Sequence, residues 1–369
     1  MPEFTKDGSS LEQFKDNLPV TKLGLNPFVN KDTGRTYLPS LFTAEEEKKF
    51  KINRNFKQRK YLTLQDSVSH IYSYFIADDY NYVMTQLSDH DLYWLKFIAR
   101  FKSIQQVQLF RQTALYPDWF DRKSLKHSLD RLFMYGLIWK WNFKRDFLNK
   151  PVTAYTLSVN GFRFMEYFFN QERRYFQPQS YFTLPVQYHI RFWETVDIYQ
   201  LCLSLPIFHG FETFLNLGKD KENKIKRNMT SPLQIALEMI PNQIKNLVFF
   251  PALQTDDLTY YQNALLRWNA FTDDGANLTE SVNGLPGTQN IIVFYAPTVA
   301  IADKLNTDLE LPNWNFPIFL LVGSVIEKDG ITQAFYYPDH RNKTLDLQRA
   351  TLPNLVFYNQ EESGKNEEN

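Results

Sequence analysis

The sequence predicts an α+β protein in which helices come first, three helices and a β-hairpin follow, and an α/β layer closes the chain. Three observations predict it. Apolar residues recur at helical spacing up to residue 135, the period falls to two between residues 137 and 157, and strand-sized and helix-sized apolar runs alternate beyond residue 192. The 369 residues carry 41 Lys+Arg against 41 Asp+Glu, which excludes an indiscriminate polybasic coat. Hydrophobic residues make up 43% and charged residues 22%, enough to bury sizeable cores. Aromatics are plentiful, with 32 Phe, 21 Tyr and 7 Trp, whereas the 13 Gly leave little for glycine-built phosphate loops.

Residues 1–40 are punctuated by Pro2, Gly8, Pro19, Gly24, Pro27, Gly34 and Pro39 and read as an irregular arm with few buried anchors. A helical extension is expected over 41–82. Thr43-Ala44-Glu45-Glu46 has the capping-box pattern, and after Thr63 the residues Leu64, Val68, Ile71, Tyr72 and Phe75 fall on one helix face. Between them Lys48, Lys49, Lys51, Arg54, Lys57, Arg59 and Lys60 form a basic stretch, read as a solvated face in preference to a phosphate-contacting arm. The first ten residues lack a secretory pattern, and no window approaches the roughly 18 apolar residues of a membrane span. Cys202 sits on the buried side of a predicted helix. These features lead us to expect a cytoplasmic protein without a membrane partner. The six histidines form no i, i+4 pair, so no metal or other cofactor is expected.

Residues 83–168 carry the most informative order of elements. Ser88 is placed to cap a helix burying Leu92, Leu95, Ile98 and Ala99, and Ser103 to cap a second burying Ile104, Val107 and Phe110. A turn at Tyr116-Pro117-Asp118-Trp119 leads to a helix over 121–135, with Leu125, Leu129, Leu132 and Phe133 inward and Gly136 as its stop. Lys123, Lys126, His127, Asp130 and Arg131 lie across the outer face, and Arg122 sits at the start. Residues 137–143 and 152–157 then read as strands of a hairpin, joined by Lys144–Pro151. Such a layout is that of a winged helix-turn-helix, whose third helix enters a major groove while the hairpin tip reaches flanking phosphates. Residues 100–150 hold eleven Lys/Arg and four Asp, a local balance of +7. Candidate DNA-contacting residues are Arg122, Lys123, Lys126, His127, Arg131, Lys140, Lys144, Arg145 and Lys150. Trp139 and Trp141 are expected to pack inward more than to stack on bases.

The run Leu129-Asp130-Arg131-Leu132-Phe133-Met134-Tyr135-Gly136-Leu137-Ile138, with Tyr155-Thr156-Leu157-Ser158-Val159-Asn160-Gly161 after the hairpin, resembles the winged-helix module of the replication-relaxation family. That resemblance implies a role in replication or DNA transfer on plasmids and conjugative elements, with double-stranded DNA and proteins of those complexes as partners. It also implies a C-terminal restriction-endonuclease-like domain, expected over 191–358 after a linker at 169–190 around Gln177-Pro178-Gln179-Ser180, with a disordered tail at 359–369. Helices at 192–205, 257–271 and 298–309 and strands at 234–239, 247–250, 291–295 and 318–322 fit an α/β layer independently.

The nuclease chemistry requires carboxylates on two neighbouring strands to hold Mg²⁺. Where the family has Pro-Asp and then Glu-x-Asp, this chain has Ile240-Pro241-Asn242 and Phe249-Phe250-Pro251-Ala252-Leu253, and Asp256 and Asp257 sit where a helix starts. The expectation is a catalytically silent domain with no catalytic residue. Tyr260 and Tyr261 lack the histidines a relaxase would need and read as packing residues. An active nuclease or relaxase, and a protein-only adaptor or regulator, stand as the alternatives.

Overall fold

The computed structural model describes residues 27–55, 76–169, 186–213, 231–273, 285–287, 289–338 and 347–350. The second helical segment at 63–75, most of the linker, the polar stretch at 219–227 and the tail lie outside the described residues. The chain divides into two compact units. The first is chiefly Thr43–Asp197 and the second combines Phe28–Phe42 with Ile198 onward, so the division falls inside one helix.

In the first unit the Glu46 N–H donates to Thr43 Oγ1 at 3.2 Å and the Thr43 N–H donates back to Glu46 Oε2 at 3.1 Å, which starts α1 (Ala44–Lys49) as the sequence anticipates. A short strand, β1 (Ile52–Asn55), and α2 (Ala77–Gln86) follow. Ser88 caps α3 (Asp89–Phe101). Ser103 does not cap a helix: it lies in β2 (Ser103–Gln105), and α4 (Gln106–Leu115) starts two residues later than such a cap would place it, with the Gln105 N–H donating to Gln108 Oε1 at 3.0 Å. The shift turns Leu109 inward and leaves Val107 and Phe110 half-buried. Asp121 caps α5 (Arg122–Met134), accepting from the Lys123 and Ser124 N–H groups at 2.6 and 2.9 Å. The hairpin strands are β3 (Ile138–Phe143) and β4 (Val152–Leu157), and α6 (Val159–Phe169) closes the run.

These strands form an antiparallel sheet in the order β1-β3-β4-β2, in which β2 pairs with β4 and β1 covers the other edge of the hairpin. Trp94, Leu95, Phe97 and Ile98 of α3, Leu109 of α4 and Leu125 and Leu132 of α5 are fully buried beside it. At the base of the hairpin Gly136, at φ 64°, ends α5 in the left-handed region that an L side chain resists. The Ser158 hydroxyl donates to the Gly136 carbonyl and accepts from the Gly161 N–H at 2.8 Å, while the Ser158 N–H donates to the Leu137 carbonyl at 3.0 Å. A Cβ on Gly161 would stand 1.9 Å from that Leu137 oxygen. The helix therefore enters through a position only glycine can fill.

The N-terminal half of α7 (Tyr188–Leu203) belongs to this unit and meets it through buried polar groups. Arg111 Nη1 donates to Asp197 Oδ1 at 2.9 Å with both side chains out of solvent, and Gln108 Nε2 donates to the same oxygen at 2.8 Å. The indole of Trp193 donates to Ser103 Oγ at 3.0 Å, and the same hydroxyl pairs with His189 Nδ1 at 2.8 Å. Burial pushes the His189 imidazole down to about 4.

In the second unit Phe28 and Leu38 are buried, so this part of the expected irregular arm has anchors, and Phe42 just beyond it is buried too. The Thr36 N–H donates to the Glu327 carbonyl at 3.0 Å. After α7, whose Cys202 is buried as expected, come β5 (Phe208–Glu212), β6 (Leu233–Ile240), β7 (Gln243–Pro251), α8 (Thr259–Asp273), β8 (Gln289–Ala296), α9 (Val299–Asp308), β9 (Ile318–Val322), α10 (Gly323–Asp329), β10 (Phe335–Pro338) and β11 (Leu347–Arg349). The sheet runs β11-β10-β9-β8-β7-β6-β5, parallel at β7-β8 and β8-β9 and antiparallel elsewhere. Residues 291–296 of β8 and all of β9 are continuously apolar and buried, as strands covered on both faces require. The α+β class is the one the sequence predicts.

Gly161→Ala is expected to cost about 3 kcal/mol or more, read as a lower denaturant midpoint, because backbone must move to admit the methyl group. A second expectation concerns acid. His189 has a folded pKa below its unfolded value near 6.5, so its contribution is fully present above about pH 6.5 and is lost as pH falls toward 4, by about 3 kcal/mol. His189→Asn keeps a hydrogen-bonding partner for Ser103 and should flatten that loss in urea unfolding followed against pH. Parallel pH profiles for the two proteins would remove His189 as the source.

Candidate nucleic-acid interface

Helix α5 gathers five of the nine expected contact residues on one element. Its apolar stripe packs inward, leaving Arg122, Lys123, His127 and Arg131 exposed and Lys126 half-exposed. Arg122 and Lys126 reach over the Phe110 ring, at 5.2 and 5.7 Å from its centroid. Arg131 is tethered: its Nη1 donates to Asp91 Oδ2 at 2.7 Å, a carboxylate that also accepts from Ser88 at the start of α3. Its charge is therefore shared with a buried acid and offers less to an outside partner than those of Arg122 and Lys123.

The hairpin supplies the remaining four, and they part company. Lys144 and Lys150 are exposed at the tip. Lys140 is half-buried in mid-strand, opposite Tyr155 on one side and Asn55 on the other. Arg145 is turned inward, only 6% exposed, with Nε 3.0 Å from Glu46 Oε1 and Nη2 3.3 Å from Glu46 Oε2. The same carboxylate accepts from the Asp146 N–H at 3.4 Å and caps α1. Burial alone would raise the Glu46 pKa, but the Arg145 bonds, the two backbone donors and the Arg145 charge outweigh it and hold the carboxyl below its usual value. The side chain expected to touch phosphate instead fastens the hairpin tip to α1. Its partner is 99 residues away in sequence, so no local pattern announced it.

Burial also revises the charge. Arg100, Lys102, Arg111 and Arg145 are all buried, and burial pushes the Lys102 amine down to about 7. Of the eleven bases between residues 100 and 150, seven stay at the surface against the same four aspartates, which leaves +3 in place of +7. Trp139 and Trp141 are engaged within the fold. The Arg54 guanidinium lies 3.8 Å from the Trp139 ring centroid, and Trp141 Nε1 donates to Thr156 Oγ1 at 2.9 Å. Two apolar side chains that the sequence reading assigned no role are exposed at the tip, Phe147 at 60% and Leu148 at 41%.

In the second unit, Asn242 is the left-handed residue of the tight turn between β6 and β7, at φ 61°, where its N–H donates to Glu238 Oε1 at 2.7 Å. Phe249 and Phe250 are buried in the middle of the sheet. Asp257 Oδ1 accepts from the Thr259 N–H at 3.0 Å at the start of α8, and these bonds hold its pKa below the usual range. Asp256 accepts from the Leu253 N–H at 2.8 Å and from the Tyr261 hydroxyl, and Tyr261 is buried. Among the described residues no three His, Cys, Asp or Glu side chains gather as a metal site requires. No helix among them is long and apolar enough to cross a membrane. Set against protein-family models, curated proteins and solved structures, the chain matches none.

Arg145→Ala should lower the stability of the fold by about 3 kcal/mol, since it leaves the enclosed Glu46 carboxylate without its cation. Glu46→Gln should cost less, and the double variant less than the two losses added. Additive losses in denaturant unfolding would mean that the pair is not coupled.

Proposed function

We propose that the chain is a duplex-DNA-binding accessory protein of a plasmid replication or conjugative transfer machinery, its first unit a winged helix-turn-helix. One observation carries this reading: α5 presents Arg122, Lys123, Lys126 and His127 to solvent on a unit whose adjoining hairpin holds Lys144 and Lys150 at its tip. A single helix fits the major groove, and lysines at a hairpin tip suit the flanking phosphates. The order α3-β2-α4-α5-β3-β4, with β2 paired to β4, supports the assignment. So do the Gly136-Leu137-Ile138 turn and Ser158-x-x-Gly161, the residues that carry the resemblance to the replication-relaxation family.

For the second unit we infer a restriction-endonuclease-like fold that contacts other macromolecules without cutting DNA. Its support is the succession α7, β5, β6, β7, α8, β8, with three antiparallel strands and then a helix leading to a parallel one. Apolar Phe249 and Phe250 at the acidic-strand position argue for silence. A different reading, contact with protein through the hairpin, is favoured by the exposed Phe147 and Leu148.

Two sets of variants separate these readings. Lys123→Ala and His127→Ala should alter which duplex sequence is preferred, whereas Lys144→Ala with Lys150→Ala should weaken all sequences alike and reduce the slope of log K against log salt by about 1.8. Phe147→Ser with Leu148→Ser should leave both quantities unchanged. If DNA binding is absent at low salt and only the last pair alters complex formation, the protein-contact reading prevails.

A further inference from the structure

The hairpin tip shares its end of the sheet with the segment that precedes it. Register sets Ile52 of β1 opposite Phe143 of β3, which brings Lys51 beside Lys144, and Lys49 stands in the last turn of α1 just before. A groove of about 450 Å³ opens here, lined by the buried rings of Phe50 and Phe143, the amides of Asn53 and Asn142, and the exposed Lys49, Lys51 and Lys144. Of the carboxylates around it, Glu46 is consumed by Arg145 and by backbone donors, and Glu45 approaches Lys49 only to 3.9 Å with both side chains in solvent. Asp146 also lines the groove. Among the described residues three ammonium groups therefore outnumber the acids that can answer them.

We propose that Lys49, Lys51 and Lys144 hold the phosphodiester backbone of duplex DNA along this groove, outside the stretch read by α5, an inference that rests on the DNA-binding reading above. The chemistry matches: exposed lysines act as point charges toward phosphate oxygens, and the two amides add neutral donors without imposing a base. The position matches as well, because the groove continues from the hairpin tip, the element expected on flanking phosphates. Arg145, withdrawn from the surface, is the clamp that keeps α1 and its lysines at this place.

The full chain carrying both Lys49→Ala and Lys51→Ala should be compared with the unaltered protein and with Lys123→Ala on a duplex longer than the footprint. Binding is followed from about 50 to 200 mM salt, together with hydroxyl-radical footprinting. The double variant should lose about 1.8 from the salt slope, shorten the footprint on one side and keep the sequence preference. All three side chains changed are exposed, so unchanged circular dichroism is expected throughout. A wild-type slope and footprint in the double variant, with Lys123→Ala still altered in its sequence preference, would overturn this inference alone. Absence of duplex binding by the unaltered protein at the lowest salt would overturn the DNA reading, and this inference with it.

Discussion

The carbonyls of Gly136 and Leu137 are the point on which the first unit turns. Three groups converge on them: the end of α5, the Ser158 hydroxyl and N–H, and the close approach of Gly161. A helix end leaves its last carbonyls without partners, and an outgoing hairpin must start in a direction the helix does not define. Ser158 answers both needs, since it returns from β4 to bond the residues that begin β3. The hairpin is thereby closed at its base by side-chain chemistry as well as by the strand ladder. The angle between α5 and the hairpin is then a property of the backbone.

The far end of the hairpin is held by a different device. A long two-stranded ribbon has two edges and a free tip, and such ribbons are marginal alone in water. Here β2 covers one edge, β1 covers the other, and Arg145 ties the tip to Glu46. The cost is one cation removed from the surface. In exchange, α1 and β1 are fixed against the tip, and Lys49 and Lys51 acquire defined positions. Stability and surface charge are thus coupled through one guanidinium.

Much of this was legible in the chain, and the limits have physical causes. The helical stripe of α5, its Asp121 cap and its Gly136 stop are local, so the sequence announces them within a residue or two. The strands β3 and β4 repeat long enough for a period of two to appear. By contrast β1, β2 and β5 span only three to five residues, too short for any period, and their pairing partners are remote. Ser103 illustrates the consequence. A serine before a helix is a plausible cap, but a three-residue strand intervenes and its hydroxyl bridges Trp193 and His189 instead. In the second unit Pro241-Asn242 is a turn because Asn tolerates positive φ, a local fact that motif matching does not weigh.

The charge of the middle segment shows why a count of basic residues overstates a nucleic-acid face. Arg100, Lys102, Arg111 and Arg145 contribute to the sequence balance and are buried in the fold, where a guanidinium is held by Asp197 or Glu46 and an amine loses part of its charge to burial. Long basic side chains are suited to such tasks because an apolar stem can be packed while the head finds an acid. A balance of +3 on the surface is modest beside the +7 that the sequence alone suggests. Lys49 and Lys51 lie outside the segment counted, yet β-pairing sets them beside its tip. Electrostatic footprints follow the sheet register, so the relevant sum runs over neighbours in space and includes residues nearly a hundred positions apart.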